Sequence, residues 1–463
     1  MMSDEEVKTL DGEEEKKPAA KERRRAPGAF AAFESKFHVV GNVLVLLVCI
    51  ALIAACAFSN ATFGIYTLPD GTQAEVSQNM IQMGSAFTAF AMDDQELVDY
   101  KTAADKLISD EVAASGADLT DSAAAREALE TAMANHTEIN YAKYVLVSAL
   151  INLKYTTGSL QASYIPSGGQ DSAGEETTVV DTVQVYVTFG LTVLGVGAVL
   201  PMGLAVLSLA ILVLKGLFIL IFCRNGKSLH IAFPLVCMFT ILALLMLQLG
   251  AVGEPGIFLY VLFGAAFAGM LIVGVVRYAA YPNKFIGKGL LRYMLMDAAF
   301  ISAFSLSLTN PLTATVEGGS AVSMSIGQMV ASGMFTANIP AEFDFRLWLV
   351  PLGVAAAMVI ATLIMGCIMA SKTYVVGDRW RKRQWKARNE LTTISAILLT
   401  GFVAAFALLY SYLCNTYLDL GFTFTVNLSM FISPAILVVL LILLLIIRPT
   451  KKVKKISTDD IDE

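Results

Sequence analysis

Asp297, in the stretch RYMLMDAAF, is the one carboxylate inside a long apolar run of this 463-residue chain. An ionisable group at membrane depth is costly unless it binds a proton, a cation or a paired base. Asp297 is therefore the leading candidate for a proton or cation site. The competing reading pairs it with Arg292, little more than a helical turn away, or with Lys288, or keeps it hydrated at the membrane edge. Four further polar residues border apolar runs and form a second rank of candidates: Lys215, Gln248, Asn310 and Arg346. For Lys215 the ordinary expectation is a stem along the lipid with its ammonium reaching the interface.

Other chemistry is missing from the pattern. There is no GxxxxGK[ST] loop, no HExxH, no GxSxG and no Ser-His pair within an apolar run. The six cysteines (Cys49, Cys56, Cys223, Cys237, Cys367, Cys414) sit in or at the ends of apolar runs, and none shows CxxC spacing. The three histidines (His38, His136, His230) are far apart. No cofactor or metal centre is expected, and an enzyme is the least favoured class.

The elements that must position these residues are apolar helices. The chain is 56% hydrophobic and only 16% charged, against about 25% charged in soluble domains. A bilayer core takes about 20 apolar residues per helix. Eight runs meet that pattern: 39–58, 183–213, 229–250, 256–276, 293–310, 347–370, 392–414 and 430–447. The expected fold is all-α, a polytopic membrane protein. Between these runs the cations alternate. Of the 33 Lys and Arg residues, 27 fall on one side and six on the other. The cation-rich side is cytoplasmic, which places both termini there, in a multi-pass plasma (cell) membrane protein. Residues 183–223 are long enough for two crossings, but two would invert every later loop. One long helix, kinked near Pro201, preserves the alternation.

The stretch DRWRKRQWKARNE, residues 378–390, carries six cations and two Trp. Alone it resembles a nucleic-acid patch. Its position in the loop 371–391, between two apolar runs, makes it a topology signal with Trp380 and Trp385 at the headgroups. Anionic lipid is the partner it suits, and no nucleic acid is expected.

Residues 1–38 read as a disordered acidic-then-basic tail ending in a short interfacial helix, with Phe30, Phe33 and Phe37 on one face. The stretch IAAC, residues 53–56, resembles a lipoprotein cleavage box, which would lipidate Cys56; an ordinary span ending in small residues competes with that reading. Residues 59–182 hold 18 Asp and Glu against five Lys and Arg. They are expected to form an acidic extracytoplasmic helical domain of two long helices, with Asp121 as an N-cap and 84–155 as a candidate surface for a protein partner. Asn60-Ala-Thr and Asn135-His-Thr match the glycosylation pattern. A second outer segment, 311–346, is shorter, and 448–463 forms a cytoplasmic tail.

An internal repeat is also legible. LPMGLAVLSLAILVLKG (200–216) aligns without a gap with VPLGVAAAMVIATLIMG (350–366), matching Pro201 to Pro351 and Gly203 to Gly353. Ser59-Asn60 ends the first run as Thr309-Asn310 ends the fifth, and IQMGSAFTAF (81–90) resembles IGQMVASGMFTAN (326–338). The expected arrangement is a 4+4 parallel repeat of two four-helix units; chance similarity of apolar sequence competes with it. The leading expectation for function is translocation, or accessory transport, of a small solute or lipid between the halves. The alternative is a structural or interaction protein whose outer domain binds a partner.

Overall fold

The computed structural model describes residues 29–58, 60–67, 73–116, 122–136, 139–160, 179–221, 232–250, 252–280, 289–316, 321–324, 349–374, 378–417 and 422–447. The chain is mostly helical. Among the described residues, three helical stretches are long and apolar enough to cross a membrane: Val185–Leu214, Thr393–Thr416 and Ser429–Ile446. Shorter apolar helical stretches, Val43–Phe58, Phe233–Leu249, Ile257–Ile272, Met294–Leu306 and Leu349–Ile364, fall on the other predicted runs.

Helix α1 (Ala29–Phe58) is continuous, so the expected interfacial helix and the first apolar run are one backbone element. Cys56 is buried on it, two residues before its end, where cleavage would have to unwind the helix. A β-hairpin follows, β1 (Asn60–Thr67) and β2 (Gln73–Asn79). The expectation of helix throughout 59–182 fails here, because alternating side chains in NATFGIYT and QAEVSQN suit an extended pair.

The two long helices expected for the acidic segment are four. After α2 (Met80–Ala86) and a short tight turn of helix at Phe87–Ala91 comes α3 (Asp94–Ser115). Asp93 starts α3 with a capping box: its carboxylate accepts the Glu96 amide N–H at 2.8 Å, and Glu96 returns the bond to the Asp93 N–H at 3.1 Å. Gly116 ends α3 at φ 63°, a left-handed position that favours glycine. Then come α4 (Ser122–Asn135) and α5 (Tyr141–Thr156). Asn140 begins α5 by accepting the Lys143 N–H at 3.1 Å. Asp93 and Asn140 thus break the expected helices, since a short polar side chain satisfies the free N–H groups of a new helix start. Asp121 lies outside the described residues.

The apolar run 183–213 becomes two helices, α6 (Val179–Gly197) and α7 (Val199–Ile221), joined at Ala198. Pro201 has no N–H to give the Gly197 carbonyl, so the ladder breaks there rather than at the proline itself. Helix α6 is apolar on more than one side because it serves two neighbours. Phe189 and Val193 pack on Leu97, Leu146, Val147 and Leu150 of the α3–α5 cluster. Gly190 lies against Leu352 on α11 (Leu349–Tyr374).

Helix α8 (Ala232–Leu249) is the centre of the molecule. Every residue from Phe233 to Gly250 is buried, as a helix that is apolar all round requires. It packs on α6, α7 and α9 (Ile257–Ala280) on one side. On the other it meets α10 (Gly289–Leu306), α11 and α12 (Asp378–Tyr417). Residues 378–390, expected as a loop, are the start of α12, which runs as one helix of 40 residues. Arg, Lys, Gln and Glu are good helix formers, and continuing the helix keeps the backbone bonded. A three-stranded antiparallel sheet, β3 (Leu312–Val316), β4 (Ala321–Met324) and β5 (Phe422–Val426), in the order β4-β3-β5, closes one end of α10 and α12. The last helix, α13 (Ser429–Ile446), packs on α10 and α12 and exposes Ile432, Ile436, Val439, Ile442 and Ile446.

Candidate functional site

Asp297 sits in the middle of α10, flanked by Met296, Ala299 and Phe300, all buried. Asp297 is itself only 8% exposed, and its Oδ1 is buried without a hydrogen-bond partner. Helix α10 packs on the central helix α8, and the Asp297 charge reaches Cys237 there, a fully buried thiol. The chain folds this way because α10 is too polar to lie wholly in lipid and too apolar to leave the bundle. Its acidic residue follows the rest of that face inward.

Two more orphan oxygens lie on α8. Thr240 Oγ1 and Gln248 Oε1 are buried with no partner. Cys237 and Gln248 are about three helical turns apart, and so share one face. Thr240 lies beside that line. At its far end Gln248 gives its amide N–H to the carbonyl of Thr309, just beyond α10. The α8–α10 seam is therefore tied at Gln248 and carries unsatisfied oxygens at Asp297 and Gln248, with Thr240 adding another on α8. Unpaired buried polar groups are costly. A proton or a water molecule is what such oxygens lack.

No family model, curated protein or solved structure matches this chain.

The other face of α10 is satisfied. Ser302 and Ser433 hydroxyls lie 3.1 Å apart between α10 and α13, and Ser433 also donates to the Ser302 carbonyl. The second-rank candidates divide. Gln248 joins Asp297 on the seam. Asn310 instead belongs to a structural lock: its Nδ2 donates to the Ser323 carbonyl at 3.2 Å, and its carbonyl accepts Asn427 Nδ2 at 2.6 Å. Thr313 Oγ1 completes the lock by donating to Asn427 Oδ1 at 2.7 Å. Lys215 lies on α7, with a side chain outside the described residues, as are the side chain of Arg292 and the whole of Lys288 and Arg346. Sequence reading passed over Cys237 and Thr240. Their spacing to Gln248 on an otherwise apolar helix is the signal that could have found them.

The candidate partner surface at 84–155 is tied to β2 by an amide pair, a buried Gln78 and a half-buried Asn140. Gln78, 2% exposed, donates from Nε2 to Asn140 Oδ1 at 3.2 Å and accepts the Ala142 N–H at 2.8 Å. Asn140 Nδ2 also donates to the Gln82 carbonyl and to Ser85 Oγ. Several cations are engaged within the cluster. Lys101 pairs with Asp105 at 2.6 Å, Lys154 pairs with Asp94, and Lys143 lies over the Tyr100 ring at 4.8 Å. Tyr144 adds a hydrogen bond to Asp105 at 2.6 Å. The Asn135 sequon residue donates to Glu111 at 2.9 Å. Among the described residues no three His, Cys, Asp or Glu side chains come together as metal ligands.

Proposed function

We propose that this chain is an eight-span integral protein of the cell membrane that moves a small solute or lipid, or assists its transport, through the seam between two related halves. Both termini lie in the cytoplasm in this reading, and the α2–α5 cluster lies outside. The observation that carries it is the buried, unpartnered carboxyl of Asp297 where α10 meets α8. A purely structural helix contact gains nothing from such a group.

The repeat supports a site between halves. Helix α7 begins two residues before Pro201, and α11 begins two residues before Pro351. A β-hairpin follows α1, and another follows α10. The third helices of the two units, α8 and α12, pack on each other. That is what an axis along the membrane normal, passing between them, requires. The basic start of α12 then faces anionic headgroups on the cytoplasmic side.

The test is reconstitution of the full chain in liposomes. Solute movement is read by electrical recording with a panel of amino acids, sugars, organic acids and inorganic ions. Lipid movement is read with a fluorescent phospholipid and an impermeant quencher. Wild type moves one of these probes, and Asp297→Asn folds but loses that movement. Undiminished movement by a folded D297N protein would overturn the assignment of the site.

A second reading is favoured by the α2–α5 cluster, an acidic helical platform whose elements the Asn140 side chain ties together. Here the spans are a scaffold and the outer domain holds a protein partner. Deleting 84–155 would then abolish partner recovery in crosslinking, while D297N would leave it intact.

A further inference from the structure

We propose that Asp297 is a proton-operated switch for the α8–α10 seam: the neutral acid belongs to the packed seam, and the carboxylate to a seam open to water. The link from this switch to transport rests on the function proposed above; the switch itself does not.

The argument begins with what surrounds the carboxyl. Helix α8 carries no charged residue in AFPLVCMFTILALLMLQL, so it offers no counter-charge. Of its side chains, Cys237 is the titratable one, and it lies within reach of the Asp297 charge. Helix α13 has no titratable residue. The described titratable side chains of α12 are Tyr410, Tyr412 and Cys414, near its end at β5. On α9, Tyr260 donates to the Ser307 carbonyl at 3.4 Å, toward the same end. Arg292 and Tyr293 share α10, and the cations at 379–388 lie at the start of α12; these side chains are outside the described residues.

A metal ion fits this place poorly, because hard cations take six or more oxygens. One proton fits it well. It removes the charge and converts an acceptor into a donor, which a buried carboxyl needs if no cation is at hand. In the cycle, Asp297 takes a proton from water on one side as the seam closes. It releases that proton to water on the other side as the seam opens. No other bond changes and no co-reactant is consumed. Gln248, with its own unpartnered Oε1 at the α10 end of the seam, gives entering water a hydrogen bond.

Cys237 is a built-in reporter of opening. Full-length protein in liposomes is treated with N-ethylmaleimide across about pH 5 to 8.5, a range in which a free thiol is increasingly the reactive thiolate. Alkylation of the Cys237 peptide is quantified by mass spectrometry. Comparing wild type with D297N at each pH cancels the thiol's own titration, since Asn keeps the shape and cannot ionise. At the acid end the two proteins react alike. At the alkaline end wild-type Cys237 reacts severalfold faster than in D297N. Asp297→Glu, which restores an ionisable carboxyl, recovers the difference and guards against a folding defect in D297N. A wild-type to D297N ratio that stays constant with pH overturns the switch. Because no substrate is needed, D297-dependent flux with a constant ratio would sink the switch alone. A pH-dependent ratio with no moving probe would sink transport alone.

Discussion

Gly195 and Gly250 meet backbone to backbone: a Cβ placed on Gly250 would lie 2.4 Å from the Gly195 Cα and 2.9 Å from its nitrogen. This contact brings α6 against the end of α8 and so seats the α3–α5 cluster on the central helix. Neither atom can swing aside, because both belong to the main chain.

Gly250→Ala is therefore expected to destabilise the protein by about 1–3 kcal/mol, the usual cost of overpacking. Gly203→Ala is the control, since a Cβ there meets nothing within 4 Å. Thermal unfolding in detergent checks both. A midpoint for G250A equal to that of G203A would remove the close approach.

Asn140 joins four partners, so its loss should be felt beyond its own helix. Asn140→Ala removes the α5 cap, worth about 1 kcal/mol. It also strands the buried Gln78 amide, at about 1–3 kcal/mol. Asn140→Asp keeps the acceptor but turns the donor toward the Gln82 carbonyl into an oxygen. It should be nearly as damaging as Ala. Hydrogen exchange in β2 and α2 is the measurement; unchanged protection in both variants would show the hub to be dispensable.

The Tyr100 hydroxyl is held above its ordinary 10.0 by burial, against the lowering pull of its hydrogen bond to the Asn140 carbonyl. The folded state thus holds this proton more tightly than the unfolded chain does. The resulting stability is complete below 10.0 and is lost as pH rises beyond it. Tyr100→Phe should flatten the unfolding curve of the outer cluster between about pH 9 and 11. An equal alkaline loss in wild type and Y100F would assign that loss elsewhere.

The orientation has its own test. Protease added outside intact cells should cut an exposed site engineered near Glu127, while tags on both termini stay protected until the membrane is opened. Cleavage of either tag from outside would reverse the charge argument.

The apolar runs were legible in the residues themselves, and so was the presence of one acid, Asp297, within them. Each is a local property: composition decides whether a helix prefers lipid, and a single acid in an apolar run is visible without a fold. Pro201 as a point of disruption was legible for the same reason, though it separates two helices at Ala198 rather than kinking one. The breaks at Asp93 and Asn140 were less so, because both lie in good helix-forming sequence, and only capping partners distinguish an interior Asp or Asn from a helix start.

What the tertiary structure alone decided is which helix is central and what Asp297 faces. Helices α8 and α13 are both almost wholly apolar, yet one is buried on every side and the other exposes much of its surface. Hydrophobicity does not discriminate between lipid and protein as neighbours, since both are apolar. Only packing chooses between them. The same packing sets Cys237 within reach of the Asp297 charge and Gln248 against the end of α10, and gives the one acidic residue an apolar helix as its neighbour.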